Sequence, residues 1–330
     1  MSLSVLPGDL DQAIANWLQQ QDGAALRANS DHLTERYRAG QSSARVDLAA
    51  YLTTRMPATY AVVRKVLGEV GRVNPAFAPT SMLDVGAGPG TASWAALAEW
   101  PELSTITMIE TDARFVELAG ALAKSSELEA LAKATITRIK MNEATARANL
   151  IVAAYVFAEL VEKDAGQVAL KLWAQTEDTL VIIEPGTPRG FARIKAARQM
   201  LLAAGAHIIG PCTHASACPM AGNDWCHFTQ RLARSREHMH AKAATAPFED
   251  EPFSWIAVSR VAVPISGGRI ITPPEQDKHS ITFKICNRQG INELMIARRD
   301  KPAYKRHRKL SWGDIIADDM KDNEDGSGTL

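Results

Sequence analysis

The chain has 330 residues, of which 46% are hydrophobic, and its formal net charge at neutral pH is zero. This length and composition are typical of a globular protein with one large domain and a smaller one. No apolar run reaches the roughly 18 residues that a membrane helix needs, which argues against membrane insertion and a membrane partner.

The N-terminal residues are acidic rather than basic. The first basic residue is Arg27, and Asp9, Asp11 and Asp22 precede it. A secretory signal opens with basic residues before an apolar core, whereas a transit peptide is rich in arginine and poor in acids. Because neither pattern is present, we expect a cytoplasmic protein.

Residues 1–79 are predicted to form a helical region that serves as a lid or support. An amphipathic stretch from Ala44 to Met56 is followed by apolar residues at helical spacing from Ala58 to Val70. Pro57 is predicted to end the first of these two helices. Three cations are expected on their solvated face: Arg55, Arg64 and Lys65.

A glycine-rich turn follows the first predicted strand of the chain. The apolar run Ser81–Val85 predicts a buried strand. Gly86, Gly88 and Gly90 come next at alternate positions, and helix-forming residues resume at Thr91. Glycines permit positive φ and let a ligand approach the backbone, while the free N–H groups of a new helix favour anionic or polar groups. Strand, turn and helix together predict a site for a nucleotide-like ligand.

The turn reads G-x-G-x-G rather than the G-x-G-x-x-G of dinucleotide folds, and no Lys-Ser/Thr follows as a P-loop requires. Asp84 stands two residues before the first glycine, and Glu110 ends a predicted strand twenty residues after the last one. The D-x-G-x-G-x-G pattern resembles class I S-adenosylmethionine (SAM) methyltransferases. This resemblance implies that SAM is bound by Asp84, Gly86, Gly88, Gly90, Thr91 and Glu110. The alternative is a tight strand-to-helix connection without a ligand.

Strands and helices alternate from Thr80 onward, which predicts a parallel sheet in an α/β domain of residues 80–263. The predicted strands are Met82 to Gly86, Thr105 to Glu110, Thr135 to Lys140, Asn149 to Ala154 and Thr179 to Glu184. A strand at His207–Gly210 and a last strand at residues 253–260 are expected to close the sheet. We therefore expect a Rossmann-like class I methyltransferase sheet, with a cysteine-rich insertion, residues 211–240, between its antiparallel edge strands.

The sequence does not identify a catalytic residue. It contains no Asn-Pro-Pro-Tyr tetrad and no paired cysteines of the kind used for cytosine C5 methylation. The strand that begins at Asn149 resembles the fourth strand of methyltransferases, whose carboxyl end faces the methyl donor. Tyr155 and Glu159 follow that strand and are candidates, although such residues at the start of a helix are more often structural.

All four cysteines lie in the second half of the chain, at Cys212, Cys218, Cys226 and Cys286. Their spacing matches neither a C-x2-C zinc finger nor the C-x3-C-x2-C of radical SAM enzymes, and disulfides are not expected in a reducing compartment. Four thiols, three of them in a loop-like segment with few core residues, suffice for one metal centre. Spacing leaves open an iron–sulfur cluster or zinc, for which His214 and His227 are reserve ligands.

Five short motifs stand out between about residues 50 and 314: Glu184–Pro188, Pro211-Cys212, Cys218-Pro219, Trp225–Arg231 and Lys309–Asp314. Together they resemble a methyltransferase-like family associated with the mitochondrial small ribosomal subunit and its bacterial relatives. The resemblance implies a 4Fe–4S cluster on the four cysteines and a role in assembling the small subunit. It leaves open whether the members methylate a substrate.

The C-terminal part is predicted to form a small, basic, β-rich domain, residues 264–313, with a hairpin around Asn287–Gly290. The next stretch, residues 298–309, contains seven cations and Tyr304, a combination that suits phosphate contact and base stacking. The cations expected to contact ribosomal RNA are Arg298, Arg299, Lys301, Lys305, Arg306, Arg308 and Lys309. A solvated charged face is the alternative, and residues 314–330 are expected to form an acidic disordered tail.

Two functions fit these predictions. The first is SAM-dependent methylation of RNA in the small ribosomal subunit. The second is a non-catalytic assembly factor of the same fold, in which SAM and a metal cluster stabilise a surface that binds ribosomal RNA. A third alternative, an electron carrier, lacks a flavin or a second centre to complete an electron route.

Overall fold

The computed structural model describes residues 6–20, 47–234, 239 and 245–317. Its N-terminal part is helical, as predicted. Helix α1 covers Gly8–Gln19. A short α-helical segment, Leu48–Ala50, a π-helical turn, Tyr51–Arg55, and helix α2, Met56–Val73, then follow one another without a break. Among the described residues, no helix combines the length and the apolar character that crossing a membrane would require.

The helical run through Pro57 differs from the expectation. Pro57 does not end a helix, because it lies in the first turn of α2, where its missing N–H breaks no intrahelical hydrogen bond. The predicted helix start at Ala44 lies outside the described residues.

The cations of this run are less exposed than expected. Arg55 does not face solvent: its side chain is 3% exposed and forms a 3.0 Å ion pair with Glu251. Arg64 is half-buried and forms an ion pair with Glu99 at 2.8 Å. Of the three cations, Lys65 is the one that is exposed. The prediction of one solvated face is therefore wrong for Arg55, whose charge is neutralised by a carboxylate far away in the sequence.

Eight strands form the central sheet, and the first five are parallel to one another. They are β1 (Ser81–Val85), β2 (Thr105–Glu110), β3 (Thr135–Arg138), β4 (Ala148–Ala154), β5 (Thr176–Pro185), β6 (His207–Gly210), β7 (Phe228–Ala233) and β8 (Phe248–Ser259). The strand order is β3-β2-β1-β4-β5-β8-β6, and β7 pairs with the first half of β8. Since β8 is antiparallel to β5, β6 and β7, this is the predicted class I methyltransferase sheet with its antiparallel edge.

Helices cover both faces of this sheet. On one face, α3 (Thr91–Glu99) and α4 (Ala113–Lys124) pack with α2; α6 (Ala165–Gln175) and α7 (Pro188–Ala203) pack on the other. A short helix, α5 (Glu129–Ala132), precedes β3. In β4, Leu150 and Val152 belong to the first core, whereas Ile151 and Ala153 belong to the second. Burial on both faces explains why the central strands β4 and β5 contain continuous apolar runs, whereas the edge strand β3 has no buried residue.

The cysteine-rich insertion leaves the sheet after β6, between the antiparallel edge strands as predicted, but the predicted span of residues 211–240 also includes a strand of the sheet, β7. β6 ends at Gly210, which a cis peptide bond joins to Pro211. The chain returns to the sheet as β7, which pairs with β8 from Phe228↔Phe253 to Ala233↔Phe248. Of the predicted insertion, residues 211–234 and 239 are described.

A second, five-stranded sheet follows β8. Its strands are β9 (Gly268–Ile270), β10 (Glu275–Gln276), β11 (Ser280–Asn287), β12 (Gly290–Ala297) and β13 (Ile315–Ile316). The order is β10-β11-β9-β13, and β12 pairs with β11 in the predicted hairpin. Helix α8, Lys301–His307, contributes Ala303 and Tyr304 to the small core around Phe283. The boundaries proposed between the helical region, the SAM-binding domain and the C-terminal domain stay a prediction. The expected disordered tail of residues 314–330 does not begin at residue 314, because Ile315 and Ile316 form β13, and residues 318–330 lie outside the described residues.

Candidate functional site

The glycine turn connects β1 to α3 at the carboxyl end of the sheet. Gly86, Gly88 and Gly90 have φ angles of 65°, 54° and 84°, which residues with a side chain rarely adopt. A Cβ on Gly86 would also stand 2.5 Å from Cγ2 of Val156. The turn therefore requires glycine for its conformation, and at position 86 for space as well.

Asp84, on β1, contacts the first turn of α3 from inside the protein. It is 2% exposed, and its Oδ2 accepts hydrogen bonds from the N–H and the hydroxyl of Ser93, at 3.0 and 2.8 Å. Burial raises the pKa of Asp84 to about 7, although the Ser93 hydrogen bonds act in the opposite direction. The sequence pattern did not single out Ser93; a serine in the first turn of the helix after a buried acid is the signal that could have found it.

Glu110, at the end of β2, binds the glycine turn directly. Its Oε2 accepts a 2.9 Å hydrogen bond from the N–H of Gly88, and its Oε1 accepts from the N–H groups of Thr111 and Asp112, at 2.6 and 3.0 Å. A carboxylate offers about four acceptor positions. Oε2 therefore keeps a lone pair for a ligand hydroxyl while it holds the turn.

A cavity of about 880 Å³ opens beside the turn, at the carboxyl ends of β1, β2 and β4. Binding sites for small molecules usually have volumes of roughly 300–1,000 Å³. The hydroxyl of Thr91 in its wall is buried without a hydrogen-bond partner among the described residues. Gly90 does not line the cavity; its positive φ starts α3, and a Cβ there would stand 3.1 Å from Sδ of Met108. The other five residues expected to bind SAM all line it: Asp84, Gly86, Gly88, Thr91 and Glu110.

The N-terminal helical run supplies another part of the cavity wall. Tyr51, in the π-helical turn, and Thr59, in α2, line the cavity. The Tyr51 ring packs edge-on against Phe115, with ring centres 4.9 Å apart, and its hydroxyl lies 3.6 Å from the position of a Cβ on Gly88. π-Helical turns are frequent at functional sites. The sequence pattern predicted a helical lid or support but named no residue that reaches the site.

The two candidate catalytic residues, Tyr155 and Glu159, both line the cavity. Tyr155 is 5% exposed, and its φ of 62° is the only positive φ outside glycine among the described residues. Its hydroxyl has no hydrogen-bond partner in the described part of the chain, and the guanidinium of Arg55 lies 6.0 Å from its ring centre. Left-handed backbone in a bulky residue is strained and tends to occur at functional sites. Glu159 is exposed and does not have a positive φ, so Tyr155 is the more informative candidate.

Glu184, near the end of β5, holds the segment that follows β4. It is fully buried, and its Oε1 accepts a 2.9 Å hydrogen bond from the N–H of Phe157. Burial raises the pKa of Glu184 to about 8, so its carboxyl group is mostly protonated at neutral pH. The sequence pattern used Glu184 only as part of a motif; an acid that interrupts an apolar strand is the signal that marks it.

The four cysteines, distant in sequence, lie in one group. Cys286, on β11, is buried in the same small apolar cluster that Cys218 and Cys226 contact. Burial, followed by the charges of the other three cysteines, raises the pKa of the Cys226 thiol well above 9. Burial also raises the pKa of the Cys286 thiol to about 12, with contributions from Cys212 and Cys218. The structure thus brings together all four residues predicted to bind a metal.

This group is not a preformed site for a metal ion. Among the described residues, no three or more His, Cys, Asp or Glu side chains have an arrangement that could hold one. Of the reserve ligands, His214 has its Nε2 3.5 Å from Sγ of Cys286, whereas His227 packs between the rings of Trp225 and Trp312. Metal binding by the cysteines stays a prediction.

The basic stretch, residues 298–309, forms α8 and the turns beside it. All seven predicted cations are exposed, and none forms an ion pair with another residue that the structure describes. Tyr304 contacts its own sheet: Oη accepts a 2.6 Å hydrogen bond from Nε2 of Gln276, and the Arg298 guanidinium lies 5.4 Å from its ring centre. The cations are available to phosphates, while the tyrosine ring already has protein contacts.

Family membership follows from comparison with known proteins. Residues 45–317 match the family described as mitochondrial small ribosomal subunit Rsm22. The chain belongs to this family.

Two curated relatives of this Rsm22-family chain are similar to most of its length. One is the human mitochondrial ribosome assembly protein METTL17, 26% identical in an alignment of 285 positions that covers 81% of this chain and 61% of that protein. Another is the mitochondrial Rsm22-cox11 tandem protein 2 of Schizosaccharomyces pombe, 24% identical in an alignment of 320 positions that covers 81% of this chain and 42% of that protein. The chain thus spans between 42% and 61% of the length of these relatives.

Similar solved structures include methyltransferases of low sequence identity. Magnesium protoporphyrin IX methyltransferase from Synechocystis, with bound SAM, is 12% identical with a TM-score of 0.42, and the match covers 78% of this chain and 100% of that one. A SAM-dependent methyltransferase from Leishmania major is 13% identical with a TM-score of 0.43, and the match covers 75% of this chain and 91% of that one. The fold assignment rests on the strand order rather than on these likenesses.

The expectation of a cytoplasmic protein is wrong. The Rsm22 family is described as mitochondrial, and the human and fission yeast relatives are mitochondrial proteins by name. The expectation rested on the composition of the N-terminal residues, and a composition without a targeting pattern does not identify a compartment by itself.

Proposed function

We propose that this Rsm22-family chain binds SAM in the cavity and acts in the assembly of the small ribosomal subunit. The observation that carries the proposal is the cavity at the carboxyl ends of β1, β2 and β4, which is lined by five of the six residues that the glycine-turn pattern assigns to SAM. The name of the family and the human relative's role in ribosome assembly support the second half, and their mitochondrial names favour a mitochondrial small subunit.

The residues of the cavity fit the parts of SAM. Glu110 has a free lone pair on Oε2 for a ribose hydroxyl, and the Asp84 carboxylate with the glycine turn suits the charged methionine end. The unpartnered hydroxyl of Thr91 supports a polar ligand, because a buried polar group without a partner is unfavourable. Asp84, Gly86, Gly88, Thr91 and Glu110 would hold the ligand, and Gly90 would act by starting α3.

Methyl transfer to RNA of the small subunit is the catalytic form of this function. When bound, SAM supplies an electrophilic methyl group. The strained backbone of Tyr155, at the carboxyl end of β4, favours this form, since it places a tyrosine in the cavity wall at an energetic cost. The absence of an Asn-Pro-Pro-Tyr tetrad from the sequence supports the alternative, a non-catalytic assembly factor stabilised by SAM and a metal cluster.

The cysteine group supports an iron–sulfur centre on Cys212, Cys218, Cys226 and Cys286. Zinc would draw four sulfur atoms to about 2.3 Å from a single ion. A 4Fe–4S cluster binds each thiolate through a separate iron atom and leaves the sulfur atoms farther apart. The four thiols share one environment, which supports a single centre on all four, and the family resemblance of the sequence motifs favours a cluster over zinc.

The seven exposed cations of residues 298–309 support contact with ribosomal RNA. Phosphate contacts need cations that are exposed and not engaged by carboxylates, and all seven meet this condition within the described structure. We propose Arg298, Arg299, Lys301, Lys305, Arg306, Arg308 and Lys309 as the RNA-binding surface.

Labelled SAM and immature small subunits test the function directly. The protein should bind SAM in calorimetry and bind the subunits in sedimentation. Label in the RNA would establish the catalytic form, and Tyr155→Phe should then reduce transfer without loss of SAM affinity or stability, because the hydroxyl has no partner to lose. Binding of both without label in RNA or protein would establish the assembly factor. A chain that binds neither SAM nor subunits would refute the proposal.

A further inference from the structure

Two buried arginines donate hydrogen bonds to backbone carbonyl groups of the cysteine-rich insertion. Arg198, on α7, is 6% exposed, and Arg269, on β9, is 2% exposed. Arginine is almost never fully buried unless its charge is paired, because removing a cation from water is costly. Each of these cations therefore needs a compensating partner.

Arg269 has one. Its Nη1 lies 2.7 Å from Oε1 of Glu69, and the guanidinium also donates to the carbonyl groups of Pro211 and Gly313, at 2.6 Å each. Burial raises the pKa of Glu69, but the charge of Arg269 and further arginine contacts outweigh burial and lower it. Arg269 thus forms a buried ion pair with Glu69, and its contacts join α2 to the insertion and to the C-terminal sheet.

Arg198 has no carboxylate partner among the described residues. Its Nη2 donates to the carbonyl oxygens of His214 and Ser216, at 2.9 and 2.8 Å, and both of these groups are neutral. Its Nε is buried without a partner in the described part of the chain. Both carbonyl groups lie in the loop between Cys212 and Cys218, so the unpaired charge of Arg198 is held against the segment that carries two of the cysteines.

A metal centre on the four cysteines would bring the opposite charge. Metal coordination deprotonates thiols outright, and four thiolates around a 4Fe–4S core carry a net negative charge. A buried cation without an anion and a centre with excess negative charge compensate each other.

We propose that Arg198 is the electrostatic partner of the four-cysteine centre, where it offsets negative charge and holds the Cys212–Cys218 loop by two carbonyl groups. This inference rests on the iron–sulfur centre proposed above. Net charge and hydrogen bonds to sulfur set the reduction potential of such a cluster. Arg198 would stabilise the reduced state of the cluster, which is the more negative one, and would therefore raise the reduction potential of the cluster.

Four versions of the full chain, purified without oxygen, test this role: wild type, Arg198→Gln, Arg198→Lys and Lys195→Met. Lys195 is the matched control, because it lies one turn earlier on α7 and donates to the carbonyl of Met220, at 2.8 Å, in the same insertion. The midpoint potential is measured by optical titration, and iron retention by the rate of loss to a chelator. SAM affinity reports the integrity of the fold at the cavity.

Arg198→Gln keeps a hydrogen-bond donor and removes the charge. It should shift the potential to more negative values and lose iron roughly 10-fold faster than wild type, as is usual when an outer-shell partner of a metal site is removed. Arg198→Lys restores the charge and should recover most of the wild-type potential. Lys195→Met should match wild type in both measurements.

An Arg198→Gln protein with bound iron and an unchanged potential would overturn the role of Arg198 alone. Wild type without iron or sulfide would overturn the proposed centre itself, so the two failures are distinguishable. If Arg198→Gln does not fold, Arg198→Lys decides: a potential clearly displaced from that of wild type, in a protein that keeps the charge, would contradict an electrostatic role.

Discussion

Asp84, the buried acid of the SAM-site pattern, is expected to favour ligand binding while it lowers the stability of the folded protein. Asp84 is held by Ser93 alone among the hydrogen bonds that the structure describes for its carboxylate, and it lies within the wall of the cavity. A carboxylate in that setting is ionised at a free-energy cost to the folded state. A cationic ligand group would recover that cost on binding, so the empty site is less stable than it could be.

The pH dependence of stability should show this cost. The Asp84 pKa is 3.8 in the reference state and about 7 in the fold, so the folded state binds more protons between these values. Stability from this group is therefore present below about pH 4 and is lost as the pH rises to about 7. Since one pKa unit corresponds to about 1.4 kcal/mol, Asp84→Asn should raise the free energy of unfolding at pH 8 by up to about 4 kcal/mol.

Urea unfolding at several pH values measures this difference, and calorimetry should show that the same variant binds SAM more weakly. Asp11→Asn, at an exposed aspartate of α1, is the control and should follow wild type. An Asp84→Asn protein with wild-type stability at pH 8 would show that the carboxylate carries no such cost.

A side chain at Gly88 should weaken SAM binding while the protein still folds. Its φ of 54° is unfavourable for valine, but a Cβ there would meet only the Tyr51 hydroxyl, at 3.6 Å. Gly88→Val should therefore fold with a loss of about 1–3 kcal/mol and bind SAM at least roughly tenfold more weakly in calorimetry. Gly205→Val is matched, since Gly205 also has positive φ, at 81°, with open space around it. Equal SAM affinity in both variants would remove Gly88 from the site.

The central strands of the parallel sheet, β1, β4 and β5, were predictable from the sequence because they are largely apolar and buried. The hairpin of β11 and β12 and the strand β8 were predictable for a different reason. Each consists of residues that favour β-strands, and turn residues lie at its ends. The π-helical turn was not: Arg55 and Tyr51 look like ordinary helix residues, and what fixes them is contact with Glu251 and Phe115, far away in the chain. The convergence of the cysteines likewise depends on how the second sheet packs against the insertion.

Helix α8 should bind RNA through charge rather than through its aromatic ring. Replacing Arg298, Arg299, Lys305 and Arg306 by alanine should weaken binding to small-subunit RNA and flatten its salt dependence, by about 0.7–0.9 in log–log slope for each phosphate that is no longer neutralised. Tyr304→Ala should weaken binding little, because the ring already contacts Arg298 and Gln276. Filter binding at several salt concentrations gives both slopes and affinities.

A control with an equal reduction in charge separates this surface from net charge alone. Lys124, Lys133, Arg147 and Lys163 are exposed cations of the first sheet and its helices, and their replacement by alanine should leave the slope nearly unchanged. Equal flattening in both quadruple variants would indicate a general effect of charge rather than a surface on α8.

The cysteine group lies where the insertion from the first sheet meets the second sheet. Cys286 belongs to β11 of the second sheet, whereas the other three cysteines belong to the insertion from the first. Arg269, on β9, bonds to α2 and to Pro211 at the start of the insertion. A metal centre on the four cysteines would therefore add a second link between the two sheets.

Cys286→Ser should weaken that link. Limited proteolysis should cut within residues 264–317 faster than in wild type, and chelation of iron from wild type should have the same effect. Thr282→Ser, on the same strand, is the control and should be cut at the wild-type rate. Full iron occupancy in Cys286→Ser would show that this residue is not a ligand, and unchanged proteolysis would show that the ion pair of Arg269 suffices to hold the sheets together.

The strand β8 pairs with β5 but is synthesised more than sixty residues later, and this delay affects how the protein folds during translation. One edge of β5 pairs only with β8 in the described structure, and the whole insertion is translated between the two. While the ribosome synthesises residues 186–247, the nascent sheet exposes an unpaired apolar edge, which is a template for aggregation. Chains that terminate before Phe248 should therefore be insoluble or bound to chaperones, and slow translation of the insertion should lower the yield of protein more than slow translation of the C-terminal sheet.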